Sequence, residues 1–144
     1  MKISNVLDSK GRAVSTTHAD APIGVVTKRL RLERIGALVV LNDPGRVTGL
    51  VTERDIVEGL AEHGVELLQR VVSAIMRRSV TTCRSGDDVK HVMALMTRHR
   101  VRHVPVVDDG ELAGLVSIGD LVKHRLDQAE TEANVMRDVY IAAH

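Results

Sequence analysis

Gly49-Leu50-Val51-Thr52-Glu53-Arg54-Asp55-Ile56-Val57 is said a second time by Gly114-Leu115-Val116-Ser117-Ile118-Gly119-Asp120-Leu121-Val122. Each copy reads glycine, two apolar residues, a hydroxyl, two spacers, an aspartate and two more apolar residues. Gly49 and Gly114, Thr52 and Ser117, Asp55 and Asp120 are all 65 residues apart. In each copy a short apolar strand meets a hydroxyl residue and hands the chain to an apolar helical pattern. Such a junction aims the first free N–H groups of the helix at one spot, which suits an anion or a hydroxylated ligand. Thr52-x-x-Asp55 and Ser117-x-x-Asp120 also have the form of capping boxes, with Asp in place of the usual Glu or Gln. Capping alone, and capping combined with ligand binding, are both open at this point.

Working outward, the rest of each copy falls into register. Residues 14–17 read as a short strand. Asp20 is placed to cap a helix with Pro22 in its first turn, and Ile23, Val26 and Leu30 lie on one helical face. Gly36 follows near that helix's end, and residues 37–41 form an apolar strand run. Asn42-Asp43-Pro44-Gly45 is a turn signal, residues 47–51 form the partner strand, and a helix from Asp55 is ended by Gly64. The second copy repeats this order 66 residues later. Val80-Thr81-Thr82 matches Val14-Ser15-Thr16; Val89, Val92 and Met96 match Ile23, Val26 and Leu30; and residues 101–106 match 35–40. The turn Asp108-Asp109-Gly110 is one residue shorter than its counterpart, which turns the offset of 66 into 65. Residues 3–7 are an apolar lead-in, and residues 8–12 read as a turn or loop.

Each half is therefore strand–helix–strand–strand–helix. A three-stranded sheet with both helices on one face leaves its other face bare, and two such halves bury their bare faces against each other. The predicted fold is α+β: two pseudo-symmetric β-α-β-β-α repeats, residues 6–66 and 75–126, packed sheet against sheet. A helical tail follows over residues 127–144. In it Leu126, Ala133, Met136 and Tyr140 make an amphipathic stripe, suited to packing on its own chain or on a partner in a dimer.

Composition excludes several classes of function. The 144 residues are 44% apolar, but there is no Trp or Phe and Tyr140 is the one tyrosine. The core is thus aliphatic, and no aromatic platform exists for stacking single-stranded nucleic acid. A net charge of +1 provides no global field toward DNA or membranes. Cys83 is alone, which rules out an internal disulfide and a thiolate metal cluster. The apolar run 37–41 is too short to span a bilayer, and residues 1–5 lack the apolar core of a signal peptide. These features predict a cytoplasmic protein. His91, His99, His103 and His124 invite a metal reading, but a helix gives way to a strand between His99 and His103, so those two, four apart, need not share a face, and Cys83 has no visible base. Residues 98–103 are basic, which fits the rim of an anion-binding cleft better than a nucleic-acid surface.

With the repeat laid out, the chain resembles the cystathionine β-synthase (CBS) domain family, as a free-standing pair of repeats of the kind called a Bateman module. The residues that carry the resemblance are Val101-Arg102-His103-Val104-Pro105-Val106-Val107-Asp108 followed by Gly114-Leu115-Val116-Ser117-x-x-Asp120. The first copy lacks the proline found at Pro105.

The resemblance implies a regulatory module, not an enzyme, that binds AMP, ADP, ATP, NAD or S-adenosylmethionine in clefts between the repeats. No catalytic cofactor is implied. One cleft would use Thr52, Arg54 and Asp55 with Val80, Thr81, Val101, Arg102 and His103. The other would use Ser117 and Asp120 with Val14, Ser15, Ile35, Gly36 and Ala37. The aspartate would accept the ribose hydroxyls, for which a carboxylate is suited, and guanidinium groups would meet phosphate. Arg54, Arg102 and His103 set the first cleft apart, since the matching positions of the second are Gly119, Gly36 and Ala37. Arg102 and His103 also suit solvated and packed strand positions. The resemblance further implies a homodimer and a separate effector protein. The alternative, from another class, is a protein-interaction module that binds no nucleotide.

Overall fold

A computed structural model describes residues 1–143. Five helices and five strands follow the duplicated order, beginning with α1 (Ile3–Lys10). The first half then holds β1 (Thr16–Thr17), α2 (Ile23–Glu33), β2 (Ala37–Leu41), β3 (Val47–Thr52) and α3 (Glu53–His63). Two 3-10 turns, Gly64–Gln69 and Val72–Ala74, lead to the second half. That half holds α4 (Val89–His99), β4 (His103–Asp108), β5 (Glu111–Ser117) and α5 (Ile118–Ala143).

The pseudo-symmetry extends to irregularities. The antiparallel pairs β2–β3 and β4–β5 each break register at equivalent places, Val40/Leu41 and Val106/Val107. α2 and α4 both end on an arginine in the left-handed region, Arg34 (φ 55°) and Arg100 (φ 54°). The next residue's N–H turns back onto the helix, Ile35 to the Leu30 carbonyl and Val101 to that of Met96. The β4–β5 hairpin closes through Asp109 and Gly110, both with positive φ, as a two-residue turn requires.

Several expectations change in detail. Residues 8–10, read as a turn from their polar composition, continue α1. Burial of Ile3, Val6 and Leu7 outweighs their weak helix preference, and the helix stops at Gly11 (φ 101°). Pro22 rather than Asp20 stands at the N-cap of α2. The strand expected over residues 14–17 shortens to Thr16–Thr17, which pairs parallel with Val39 and Val40. Its counterpart over residues 80–82 makes no ladder. A single parallel bridge, Cys83 to Val106, stands in its place. The end of the second repeat and the expected helical tail form one unbroken helix, α5, as far as Ala143.

The two halves exchange their leading segments. α1 buries Ile3, Val6 and Leu7 among Val89, Val92, Val104, Val116 and Leu121 of the second half. Leu67, Val72 and Met76, which lead into the second half, pack with Ile23, Leu38, Val51 and Ile56 of the first. A third cluster joins the sheets face to face: Ala37, Val39 and Leu50 meet Val80, Leu112 and Leu115. The repeated glycine permits this exchange. A Cβ on Gly114 would stand 2.7 Å from Leu7 Cδ2, and one on Gly49 would stand 2.7 Å from Met76 Sδ. Because Leu7 is fully buried, Gly114→Ala is expected to overpack the core and cost about 1–3 kcal/mol. Urea unfolding checks this, and the cost should shrink in a Leu7→Ala background, where the clash is gone.

Candidate functional site

The strand-to-helix junctions and the lead-ins to β2 and β4 meet between the halves. Glu53 N–H donates to the Gly36 carbonyl (3.0 Å), and Ile118 N–H donates to that of Arg102 (2.8 Å). These paired bonds hold each lead-in against the first turn of a helix. The lead-ins also touch one another, since a Cβ on Gly36 would stand 3.0 Å from His103 Nε2. Gly36 is there because a side chain would displace that imidazole.

A cleft of about 490 Å³ opens beside the first junction. Leu50, Val57 and Val101 give it apolar surface; Arg54, Arg77, Arg100 and Arg102 give it positive charge; Gly36, Thr52, Glu53 and His103 complete the lining. Arg54 shares its charge with Glu58 through a 3.1 Å ion pair. Burial pushes the His103 imidazole below its ordinary pKa, more than Asp120 and Glu53 raise it. His103 thus offers the cleft a neutral ring, and the charge belongs to the arginines.

Asp55 is 7% exposed and already engaged. Its Oδ2 accepts from the Thr52 N–H (2.9 Å) and Oγ1–H (3.0 Å), while its own N–H donates to Thr52 Oγ1 (3.3 Å). The capping box is therefore formed. Oδ1 accepts from Arg77 Nε at 3.2 Å. Arg77 reaches in from the segment leading to the second repeat, so the carboxylate is paired across the seam.

Asp120 has the matching arrangement. Its Oδ2 accepts from the Ser117 N–H (2.8 Å) and from Lys10 Nζ (2.7 Å), and its N–H donates to Ser117 Oγ (3.1 Å). Lys10 Nζ also donates to the Leu115 carbonyl (2.8 Å). Burial raises the Asp120 carboxyl, but the Lys10 and Ser117 hydrogen bonds and the Lys10 charge outweigh it, leaving its pKa below the usual range. In both halves, then, a cation from the other half's leading segment neutralises the motif aspartate.

Of the residues expected around the first cleft, Thr52, Arg54, Val101, Arg102 and His103 line the cavity together. Asp55 stands behind it, in contact with Thr52 and Arg77. Val80 packs against the inter-sheet cluster, and Thr81 is half-buried beside it. Of those expected at the second cleft, Gly36 lines the first. Ala37 is buried in the inter-sheet cluster with Val14 against it, and Ile35 packs on the first-half core. The Ser15 hydroxyl donates to Glu33. Ser117 and Asp120 are joined as cap and partner. The sequence reading placed Arg100 only within the basic rim of residues 98–103, and it missed Arg77, Glu53 and Lys10. The two left-handed arginines sit at equivalent positions, a signal readable only once the helix ends are known.

An intertwined pair of like repeats, with hydroxyl-x-x-aspartate junctions meeting at the seam, defines a class of duplicated ligand-cleft modules. The CBS domain family matches residues 10–62 and 72–127, and the chain belongs to that family. It is 33% identical over 130 residues to the mitochondrial CBS domain-containing protein CBSX3 of Arabidopsis thaliana, covering 84% of this chain and 63% of that one. It is 32% identical over 101 residues to hypoxic response protein 1 of Mycobacterium tuberculosis, covering 69% and 70%. Some relatives are much longer: the chain spans 23% of an L-aspartate semialdehyde sulfurtransferase from Methanocaldococcus jannaschii. Among solved structures, the CBS-domain protein ATU1752 of Agrobacterium tumefaciens superposes with a TM-score of 0.84 at 42% identity, covering 87% of this chain and 99% of that one. The CBS domain pair of protein MJ0100, in complex with 5′-methylthioadenosine and S-adenosyl-L-methionine, superposes with a TM-score of 0.80 at 26% identity, covering 89% and 98%.

Proposed function

We propose that this chain is a regulatory sensor of an adenosine-containing ligand with an anionic tail, AMP or a relative such as ADP, ATP or NAD, bound in the Thr52–Arg102 cleft. The observation that carries the reading is the cleft's make-up: apolar walls from Leu50, Val57 and Val101 beside Arg54, Arg77, Arg100 and Arg102, in about 490 Å³. That volume lies within the usual range of small-ligand sites. The apolar residues suit a base, Thr52 and Asp55 suit the ribose hydroxyls, and the arginines suit phosphate. The adenosyl ligands of the MJ0100 pair support the same ligand class.

A site at the Ser117–Asp120 junction would be the weaker one, because its expected lining residues Ile35, Ala37 and Val14 are packed into the cores and the positions matching Arg54 and His103 are Gly119 and Ala37. Binding across the seam would favour the arrangement of repeats that makes both sides of the cleft. The ligand then shifts a conformational or oligomeric equilibrium by linkage. Its output goes to a separate effector protein from a homodimer in the cytoplasm. A regulatory role fits better than catalysis: burial pushes the Cys83 thiol up to about 12, which leaves it without a nucleophilic thiolate at neutral pH.

Thermal melting with AMP, ATP, NAD and S-adenosylmethionine tests the reading. A ligand at a hundred times its Kd adds about 2.7 kcal/mol, so a rise of several degrees is expected. The phosphate-bearing ligands should exceed S-adenosylmethionine. No shift with any of them at millimolar concentration would favour the protein-interaction reading.

A further inference from the structure

From Ala129 to Ala143 every residue of α5 is exposed. At 1.5 Å per residue this is about 22 Å of helix exposed along its length. Along α5 apolar residues recur at alternating spacings of four and three. Val122, Ala129, Met136 and Ala143 hold one position, and Leu126, Ala133 and Tyr140 hold the other. That alternation is the a/d seam of a heptad repeat, kept over three heptads. Leu126 and Met136 are 61% and 74% exposed, far above core residues such as Leu121, which is fully buried. Val139 widens the seam on one flank, while Val135 and Ile141 fall outside it.

The flanking charges say what covers it. With Leu126, Ala133 and Tyr140 at position a, the g positions include Arg125 and Glu132 and the e positions include Glu130 and Arg137. In a parallel, in-register pair each g residue meets the e residue five places on in the other helix. Arg125 would then face Glu130 of a second copy, and Glu132 would face Arg137: both pairings attract. In an antiparallel pair overlapping the same seam, like meets like. Lys123 would face Arg137, Glu130 would face Glu130, and Glu132 would face Glu132. Arg125 and Glu132 also edge an open groove against Met1, Asp88 and Lys90, which leaves that flank within reach of a second helix.

We propose that α5 forms a parallel two-stranded coiled coil with α5 of a second copy of this chain. The arrangement sets second repeat beside second repeat, which makes the dimer head-to-head. It stands on the heptad and its charges, and is independent of the nucleotide reading.

Disulfide trapping in the full chain tests it, with oxidised glutathione as the electron acceptor. Wild-type protein should sediment as a dimer at micromolar concentration. Ala133→Cys, at a seam position, should run as a covalent dimer without reductant, whereas Asp138→Cys, on the outer face, should not; the native Cys83 is buried. Glu132→Arg should weaken dimerisation roughly three- to tenfold, by setting two pairs of like charges opposed across the seam, and adding Arg137→Glu should restore it. A monomeric wild type, crosslinking of Asp138→Cys as fast as Ala133→Cys, or failure of the second charge change to rescue the first would each overturn the proposal.

Discussion

Titrated with AMP in a calorimeter, Asp55→Asn is expected to bind at least tenfold more weakly than wild type, and Asp120→Asn less than about threefold. The difference rests on what each carboxylate can give. A hydrogen bond to a charged acceptor contributes about 1.5–3 kcal/mol, and a ribose diol that displaces Arg77 offers its donors to the Asp55 carboxylate standing behind the arginine-lined cleft. Asparagine keeps the size of Asp55 and an acceptor oxygen for the Thr52 N–H, so the α3 cap survives. Its loss of charge frees Arg77, whose side chain is 38% exposed; solvation screens that change and holds the stability cost within about 1 kcal/mol. Lost affinity in a protein of near-normal melting temperature therefore reports on the ligand. Asp120 is bound by Lys10 at 2.7 Å, closer than Arg77 Nε lies to Asp55. Equal losses for the two variants would sink the ranking of the clefts.

Why the repeat was legible and the exchange of segments was not has one physical cause. Periodicity states which residues of an element face a core. It does not state whose core. Ile23, Val26 and Leu30 recur as Val89, Val92 and Met96, and both triplets are buried as that spacing requires. The paired sheets follow from the same logic, since Ala37, Val39 and Leu50 had no other partner of their kind. Nothing in Ile3, Val6 and Leu7 announces that they belong with Val116 and Leu121, more than a hundred residues away. The sign was in Gly114 and Gly49, which were read as motif residues and are also the spaces that Leu7 and Met76 fill. The site divides the same way. Thr52 lies in the repeated motif, and Arg102 and His103 lie in the stretch that carries the family resemblance, and each was found that way. Arg77 and Lys10 lie in the exchanged segments, outside any motif, and only their reach across the seam gives them a role.

The Arg77–Asp55 pair yields the second large effect. Arg77→Met is expected to weaken AMP about tenfold while adenosine binds as well as before or better, so that a preference for AMP over adenosine of tens-fold falls to about threefold. A nucleoside that takes Asp55 Oδ1 with a ribose hydroxyl must displace Arg77 Nε from 3.2 Å. It then leaves that guanidinium without a counter-charge, in a cleft shared with Arg54, Arg100 and Arg102. AMP brings a phosphate as the replacement partner, and a bidentate guanidinium–phosphate contact restores what the carboxylate gave up. Adenosine brings none and bears the full cost of separating the pair. With methionine at 77 the carboxylate is open to both ligands, and the phosphate has one fewer cation to meet. The preference for charge is thus built into the resting ion pair as well as into the arginine rim. Calorimetry with both ligands on both proteins reads it directly. Parallel weakening of AMP and adenosine would show that Arg77 only braces Asp55, and that the ion pair takes no part in selecting the ligand.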